Sequence, residues 1–214
     1  ADMFFGAFAQ LAPDRVMTCS QGTSAILTLG GVDYRSGRRY VSYETLKGGF
    51  GARPNKDGIN TIASGISNTM NTPIEILEMS FPTRIETYEL LPDSGGAGKY
   101  RGGLGARRIW RILGEQSHAS VCCERSKSPP IGLFGGQAGT PTRIYMLGPN
   151  GTRHELKSKG GFIAPADALV VFEVPGSGGS GPAAERDPEA LRDDLRNGYV
   201  SPEAARRDYG HEDG

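Results

Sequence analysis

Apolar and polar residues alternate through much of the first 175 residues, in short runs separated by turns that contain glycine and proline. Alternation with a period of two residues is typical of β-strands that bury one face. The pattern predicts seven strands, at residues 25–31, 40–46, 84–90, 106–113, 119–123, 143–147 and 168–174. The last run is apolar enough for burial on both faces. The sequence therefore predicts a β-rich domain.

Two other stretches show the spacing of helices. Apolar residues recur at i, i+4 and i+7 near the N-terminus, which predicts an amphipathic helix over residues 2–12 that ends before Pro13. A second helix is predicted to begin at Thr72 and Pro73, because proline is favoured in the first helical turn. The apolar positions that support these two helices are Phe4, Phe8 and Leu11, and then Ile74, Leu77 and Phe81.

Beyond residue 175 the character of the chain changes. Residues 176–186 begin with GSGGSGP, a composition typical of a flexible spacer. Asp187 and Ser201 are each followed by proline, and they predict the N-terminal caps of two short charged helices. We therefore expect an α+β fold in three parts. Residues 1–175 form a β-rich domain with glycine-rich loops and a short N-terminal helix, residues 176–186 a spacer, and residues 187–214 a tail with two short helices.

The charge balance narrows the classes of partner. The 214 residues include 24 Lys+Arg and 24 Asp+Glu, a formal net charge of zero, so no overall field attracts nucleic acid or anionic membranes. No run reaches the roughly 18 apolar residues of a membrane helix, and the first residues lack the basic region of a signal peptide. The sequence predicts a cytoplasmic protein that binds neither nucleic acid nor membrane. Because it starts at Ala1 rather than methionine, we expect a processed or excised part of a longer polypeptide.

Familiar catalytic motifs are incomplete in this sequence. The stretch SGGAGKY lacks the first glycine and the final Ser or Thr of a P-loop. The run GSGGSG fits the pattern GxGxxG, but Pro182 follows where a phosphate-binding helix has to begin. The three histidines and three cysteines are not spaced as metal ligands, so we expect no metal site. Cys122 and Cys123 are expected on alternate faces of a strand, as buried and unreactive thiols.

Glycine-rich turns between residues 48 and 105 bracket a set of polar side chains. Glycine allows backbone to approach another group closely, and arginine and lysine beside it offer charge to an anionic or polar ligand. The candidate set consists of Arg53, Lys56, Asn68 and Asn71 for substrate binding, and of Asp57 and Glu75 for proton transfer. The alternative is that these residues only form turns, which favour asparagine and aspartate.

Five stretches of distinctive composition follow one another along nearly the whole chain. They are GGFGARPNKDG, SNTMNTPIEILE, FPTRIETYELLPDSGGAGKYRGGLG, GLFGG and ERDPEALRDDLRNGYVSPEAARRDYG. In this order they resemble the C-terminal part of the hydantoinase B family. That family includes N-methylhydantoinase B subunits, the second half of 5-oxoprolinase, lactam-opening relatives, and related subunits of acetone and acetophenone carboxylases. The resemblance is more specific than any single motif because it is long and ordered.

The resemblance implies ATP-dependent chemistry that is divided between two parts. ATP with Mg²⁺ is held by a hydantoinase A-like, actin-like ATPase subunit, which phosphorylates the substrate. The B part then opens the activated cyclic amide or carboxylates the activated ketone. Phosphorylation of the carbonyl oxygen is chemically reasonable, because an unstrained amide resists water until its oxygen becomes a leaving group.

The resemblance also implies partners. The B part of the family has a large N-terminal portion with motifs that look like a divalent-metal site, and nothing in this sequence corresponds to it. We therefore expect a companion chain with that portion, an A-type ATPase and a small-molecule substrate. Three functions stay open: a component of a cyclic-amide hydrolase of the hydantoinase or 5-oxoprolinase type, a subunit of a ketone carboxylase, and a non-catalytic assembly subunit.

Overall fold

The computed structural model of the protein describes residues 1–22, 24–63 and 65–211. This part of the chain contains nine β-strands and four α-helices. The strands are β1 Ala25–Val32, β2 Arg39–Leu46, β3 Thr83–Leu90, β4 Ala106–Ile112, β5 Gln116–Cys122, β6 Arg143–Leu147, β7 Arg153–Glu155, β8 Lys159–Pro165 and β9 Leu169–Glu173. The helices are α1 Asp2–Phe8, α2 Ile74–Ser80, α3 Pro188–Arg196 and α4 Pro202–Tyr209.

The strands form two antiparallel sheets that share one hydrophobic core. One sheet has the strand order β2-β1-β5-β8, and the other has the order β3-β4-β9-β6-β7. Alternate residues of β1 and β4 point inward, so that Leu27 and Leu29 of β1 meet Trp110 of β4 in the core cluster that also contains Phe172 of β9. Each of these four side chains is at most 2% exposed. The predicted α+β class is therefore confirmed.

All seven predicted strands are present, with slightly shifted ends, and two further strands were not predicted. The three residues of β7 are all exposed, and the first three residues of β8 are exposed as well. Neither segment has an alternating apolar pattern, so period-two analysis does not find them. β8 is a strand because it pairs with β5, for example Ala164 opposite Ser117.

Helix α1 is shorter than predicted and leaves its apolar side chains uncovered. It ends at Phe8, short of residue 12, and none of its residues is buried. Met3 and Phe4 are 85% and 67% exposed, and Leu11 beyond the helix is 81% exposed. An amphipathic helix normally packs its apolar face on something. This face is therefore an unpartnered surface of the described chain.

The caps of the two C-terminal helices are as predicted. The Asp187 side chain accepts a hydrogen bond from the N–H of Glu189, and the Ser201 side chain accepts one from the N–H of Ala204. Each cap satisfies a backbone donor that the first turn of a helix leaves free. A separate finding concerns all the described helices. In residues 1–22, 24–63 and 65–211, no helix has the length and hydropathy needed to cross a membrane.

The glycine-rich segments pack against one another as extended backbone, and we call them the glycine bundle. The bundle consists of residues 18–21, 47–52, 94–105, 130–140 and 174–181, which exchange backbone hydrogen bonds. A Cβ added at Gly49 would lie 2.0 Å from the carbonyl oxygen of Gly103, and one added at Gly178 would lie 2.0 Å from that of Ile131. Glycine is required at such positions because neighbouring backbone occupies the space of a side chain.

The segment 176–186, predicted to be a flexible spacer, does not have that character in the structure. Residues 171–180 are all buried. Thr18 Oγ1 donates to the carbonyl oxygen of Gly178 at 2.5 Å, and Ser177 Oγ donates to that of Phe50 at 2.6 Å. The first half of the predicted spacer is thus part of the glycine bundle. Composition is misleading here, because flexible linkers and closely packed backbones both favour glycine.

Candidate functional site

The turn at residues 53–57 contains three of the predicted site residues. Arg53 donates to the carbonyl oxygen of Asp57 from Nε at 3.0 Å and from Nη2 at 2.7 Å. The N–H of Arg53 donates to the carbonyl oxygen of Lys56 at 2.9 Å, and the residue Lys56 is exposed. The guanidinium of Arg53 therefore closes its own turn, which favours the alternative that these residues form turns.

The carboxylate of Asp57 belongs to a buried group of charges. It accepts hydrogen bonds from the N–H of Arg101 at 2.6 Å and from Arg186 Nη1 and Nη2 at 2.9 and 2.8 Å. Asp194 accepts from Arg186 at 2.6 Å and from Arg101 Nε at 3.1 Å. We call these four residues the tail network, because they link the β-rich part of the chain to α3.

The tail network keeps Asp57 ionised. Burial by itself favours the neutral carboxyl group. The hydrogen bonds and positive charge of Arg186, with the charge of Arg101, outweigh burial and hold the pKa of Asp57 below its ordinary value. An ionised carboxylate with this many donors is well suited to anchor the tail. Its contacts favour anchoring over the predicted role in proton transfer.

The other three predicted residues lie on a different segment, before and within α2. Asn68 and Glu75 are exposed. Asn71 Nδ2 donates to the hydroxyl of Tyr88 at 2.7 Å, whereas Asn71 Oδ1 is buried without a partner. In the part of the chain that the structure describes, the hydrogen-bond partner of Asn71 is not shared with Arg53 or Asp57. The contacts of Arg53 and Asp57 and those of Asn71 are thus made with different partners.

Asn71 lines a narrow crevice where β2 ends beside β3, β4 and the end of β9. The lining residues, which we call the polar crevice, are Leu46, Lys47, Asn71, Tyr88, Ala106, Arg108 and Val174. Lys47 is 4% exposed and Arg108 is 2% exposed. Burial removes the hydration of a charge, so two cations are rarely buried together unless something compensates them. The polar crevice is therefore a candidate binding site.

Arg108 is held by one carboxylate and two aromatic rings. Its Nη1 donates to Glu44 Oε2 at 3.2 Å, and its guanidinium carbon lies 5.2 and 4.9 Å from the ring centroids of Tyr88 and Trp110. Glu44 Oε1 accepts a hydrogen bond from Thr72 Oγ1 at 2.8 Å. Arg108 Nε and Nη2 are buried and have no hydrogen-bond acceptor. One edge of the guanidinium is therefore unpaired.

Lys47, the second cation of the polar crevice, has a neutral partner. Its Nζ donates to Ser24 Oγ at 2.7 Å, and burial lowers the pKa of Lys47. Beside it in the chain is Gly48, where an added Cβ would lie 2.8 Å from Gln21 Oε1. Neither polar atom of the Gln21 side chain has a partner. Unpaired polar groups are thus concentrated in this region of the molecule.

Sequence analysis missed Glu44, Lys47 and Arg108, although a signal for two of them exists. Arg108 occupies a buried position of β4 between the buried residues Ala106 and Trp110, and Glu44 occupies a buried position of β2. A charged residue at an inward position of an alternating strand has to be paired or functional. Lys47 follows the strand and carries no such signal.

In the described ranges 1–22, 24–63 and 65–211, no three His, Cys, Asp or Glu side chains are grouped to hold a metal ion.

The adjacent cysteines lie on alternate faces. Cys123 is buried and Cys122 is exposed, so the prediction of alternate faces is confirmed. The prediction that both thiols are buried is wrong for Cys122. Burial raises the pKa of Cys123 to about 11. Cys19 is buried as predicted.

Residues 1–183 match the family described as Hydantoinase B/oxoprolinase. The chain belongs to this family, and the resemblance inferred from its motifs is confirmed. The beta subunit of caprolactamase from Pseudomonas jessenii is 33% identical over 221 residues, which cover 98% of this chain and 38% of that protein. The B subunit of a putative D-/L-hydantoinase from Pseudomonas sp. strain NS671 is 31% identical over 214 residues, 98% of this chain and 35% of that protein. The chain thus spans little more than a third of the length of these relatives.

Solved structures support the same relationship. The crystal structure of ATP-dependent caprolactamase from Pseudomonas jessenii superposes with a TM-score of 0.87 at 29% identity, covering 97% of this chain and 38% of that chain. Nucleotide-free acetone carboxylase superposes with a TM-score of 0.76 at 22% identity, covering 97% of this chain and 32% of that chain. At that identity the second likeness shows the fold alone. Caprolactamase, the relative at 29% identity, is an ATP-dependent enzyme.

Proposed function

We propose that this chain is a component of an ATP-dependent cyclic-amide hydrolase of the hydantoinase or 5-oxoprolinase type. The observation that carries the proposal is the likeness to ATP-dependent caprolactamase, which extends over 97% of the chain at a TM-score of 0.87. A caprolactamase opens a cyclic amide, and ATP supplies the activation that an unstrained amide needs before water attacks it. This chain takes part in the ring-opening step that follows activation.

The proposed enzyme divides its work between several parts, as the resemblance to the family implies. This chain corresponds to 38% of the beta subunit of caprolactamase, and we propose that a companion chain supplies the rest of the B part, including a divalent-metal site. A hydantoinase A-like, actin-like ATPase holds ATP with Mg²⁺ and phosphorylates the substrate. The assembled enzyme works in the cytoplasm, where ATP is available.

The exposed face around α1 is the surface that the companion chain covers in this proposal. Met3, Phe4 and Leu11 are largely exposed, and Met3 also lines an open hollow of about 540 Å³ together with Met17 and Ile66. Contiguous exposed apolar surface of this kind is typical of protein interfaces. Burial of these side chains gives the companion chain a hydrophobic anchor.

Within this chain, the segment from Asn68 to Glu75 is the proposed contribution to the substrate site. Asn71 lines the polar crevice, and its unpaired Oδ1 is suited to accept a hydrogen bond from an amide N–H. Glu75 is exposed. It is the second candidate for proton transfer and, unlike Asp57, is not a member of the tail network. Arg53 and Lys56 remain secondary candidates for substrate binding.

Two other functions are kept because specific observations favour them. The family resemblance of the sequence motifs includes acetone and acetophenone carboxylases and keeps open a ketone carboxylase, in which the activated carbonyl compound reacts with a one-carbon unit instead of water. The internal contacts of Arg53 and Asp57 support a non-catalytic assembly subunit. The first of these shares the ATP-dependent activation step with the hydrolase.

The test is to isolate the protein from its native source together with the chains that accompany it and to assay the complex. We expect mass spectrometry of the intact complex to show an A-type ATPase and a companion chain, and ADP release to accompany ring opening of a lactam. If the complex instead consumes a ketone in a reaction that requires both ATP and bicarbonate, the carboxylase function would be favoured over the hydrolase function. Isolation as a lone stable monomer without ATP-dependent turnover would contradict both.

A matched pair of variants in that complex tests the role of this chain. Asn71→Ala removes the side chain that lines the polar crevice, and we expect ring opening to fall at least about tenfold, as for loss of a positioned hydrogen bond. Asn55→Ala changes an exposed asparagine in the turn at residues 53–57 and is expected to have no effect. Equal activity of both variants would favour the assembly subunit.

A further inference from the structure

The outer surface of the four-stranded sheet has a central region without Asp, Glu, Lys or Arg. Two neighbouring rows of residues cross β2, β1, β5 and β8 there, and we call them the outer sheet face. In strand order, the rows are Val41, Gly30, His118 and Ile163, and then Tyr43, Thr28, Ser120 and Gly161. These positions alternate with buried residues of the same strands, so they point away from the core. Val41, Tyr43 and Ile163 are 69%, 60% and 53% exposed, where a sheet that faces water normally has polar residues.

The outer surface of the five-stranded sheet is built differently. Arg107 Nη2 lies 2.8 Å from Glu173 Oε1, and its Nη1 lies 3.0 Å from Glu89 Oε1. Arg111 Nε lies 2.5 Å from Glu86 Oε1. Interspersed charges of both signs suit a surface in contact with water, whereas depletion of charge is typical of the centre of a protein interface. The outer sheet face therefore has the composition of an interface.

A hollow of about 680 Å³ lies in the outer sheet face. Its lining includes Gly30 and Gly31 of β1, which present no side chain, and Val41 and His118 of the two neighbouring strands. Val41 and Tyr43 follow each other along the exposed side of β2, and we call this pair the apolar ridge. A ridge and a hollow on one face are complementary when a two-fold axis relates two copies of that face.

Two side chains of opposite charge line the same hollow. Arg39 and Glu115 are exposed, and within residues 1–22, 24–63 and 65–211 neither makes an ion pair. A two-fold axis brings the same patch of two copies together, so that Arg39 of each copy meets Glu115 of the other. A patch with one sign of charge would repel its own copy. The charges of this hollow therefore favour a second copy as the occupant.

We infer that the outer sheet face binds the same face of a second copy of this chain about a two-fold axis. The apolar ridge of each copy fills the hollow of the other, and Arg39 and Glu115 form two equivalent ion pairs at the rim. An apolar centre with a polar rim is the usual anatomy of an interface. The inference goes beyond the proposed function and does not depend on it, because pairing of two copies requires neither substrate nor ATP. This hollow and the one beside α1 share no lining residue, so the companion chain proposed for α1 does not require the outer sheet face.

Analytical ultracentrifugation of the full chain from about 1 μM to about 1 mM tests the inference. We expect a concentration-dependent dimer, and Val41→Glu should weaken it at least about tenfold, because the variant buries a charge at the centre of the interface. Met79→Glu, at a 75%-exposed apolar residue of α2, is the matched control and should leave the dimer unchanged. A monomer at every concentration, or a dimer that only the control disrupts, would overturn the inference.

Reversal of the two rim charges tests the two-fold arrangement without altering the apolar ridge. Arg39→Glu and Glu115→Arg should each self-associate at least about tenfold more weakly than the wild type, because each variant brings like charges together twice. An equimolar mixture of the two variants should dimerise as the wild type does, since each then supplies the charge that the other lacks. Failure of the mixture to recover would overturn the two-fold pairing.

The purified complex distinguishes a second copy from the companion chain. Val41→Glu should leave the amount of companion chain per copy of this chain unchanged, as measured by quantitative mass spectrometry. Loss of the companion from the Val41→Glu complex would show that the companion covers the outer sheet face, which would overturn the inference.

Discussion

At Gly49 the backbone of one segment lies against the backbone of another without room for a side chain. The contact that a Cβ would make is with the carbonyl oxygen of Gly103, a rigid group that does not rotate away. Glycines on the surface of the molecule are different, since a Cβ at Gly6 of α1 would meet nothing within 4 Å. The same residue type is therefore essential at one position and replaceable at the other.

Gly49→Ala should destabilise the protein by about 3 kcal/mol or more, because overpacking against fixed backbone forces the segments apart. Gly6→Ala is the matched control and should raise the free energy of unfolding by about 0.5–1 kcal/mol, since alanine favours helix over glycine. Chemical denaturation of both variants measures the difference. Similar stability of the two variants would contradict the close packing of the glycine bundle.

The residues of the candidate site show what a single sequence reveals at this scale. Asn71 was predicted as a site residue and lies in the polar crevice. Arg53 was predicted because its planar guanidinium can bind an anion, but that guanidinium donates to the carbonyl oxygen of Asp57. Residue type and turn context are the same for a ligand-binding arginine and a turn-closing one, so the sequence does not distinguish them. Arg108 could have been identified from the sequence, because it falls at an inward-facing position of an alternating strand, where a charged residue is unexpected.

At the scale of elements, the two C-terminal helices depend on buried charge as well as on apolar contact. A small cluster around Leu191, Val200 and Ala205 packs the helices together, while the tail network ties α3 to Asp57 and Arg101. Removing one member of a buried charge network leaves the others unpaired, which is costly. The tail is therefore attached by an arrangement that tolerates little change.

Adjacent aspartates of α3 provide a test of this attachment. Asp194→Asn removes a 6%-exposed carboxylate that pairs with Arg101 and Arg186 and should cost about 3–5 kcal/mol. Asp193→Asn removes an exposed carboxylate that pairs with Arg196 and should cost less than about 1 kcal/mol. Thermal denaturation and limited proteolysis of the tail would show the contrast, and equal effects would speak against an anchoring network.

Acid should weaken the same attachment. The pKa of Asp57 is lower in the folded protein than its ordinary value of 3.8, so its contribution is present above about pH 4 and is lost as the pH falls through the folded pKa. We expect the melting temperature of the wild type to fall between about pH 5 and pH 2 more steeply than that of Asp57→Asn. Parallel pH profiles would mean that Asp57 does not contribute through its charge.

Strand elements could be predicted where each strand carries its own pattern. β1 and β4 alternate because one face of each meets the core, and local pattern is then sufficient. β8 is defined by its partner β5, and no local pattern records a pairing. The prediction of a flexible spacer did not describe residues 176–180 for a related reason. These glycines are needed because distant segments of the chain pack against them, and a local pattern does not reveal such neighbours.

At the scale of the whole molecule, family membership was recognisable because ordered motifs extend over nearly the entire chain. The match over residues 1–183 includes the glycine bundle and both sheets, so the features that define the fold are also those that identify it. The apolar side chains of α1 are not buried in the described chain. These exposed apolar side chains indicate that another surface packs against α1.

Phe4→Glu should reduce the recovery of the companion chain in the purified complex without lowering the melting temperature of this chain, because the side chain is 67% exposed. Ile163→Glu, at a position 53% exposed on β8 of the four-stranded sheet, is the control and should leave recovery unchanged. Quantitative mass spectrometry of the two complexes gives the comparison. Loss of the companion with the control alone would place the interface on the sheet instead.

The glycine bundle also sets the order in which this chain matures during synthesis. Thr18 and Gly178, which are hydrogen-bonded within it, are separated by 160 positions in sequence. Pairings this distant slow folding, and a ribosome must release most of the chain before the last segment arrives. Until then the early glycine segments lack their hydrogen bonds to residues 174–181, and a nascent chain with incomplete packing is prone to aggregation.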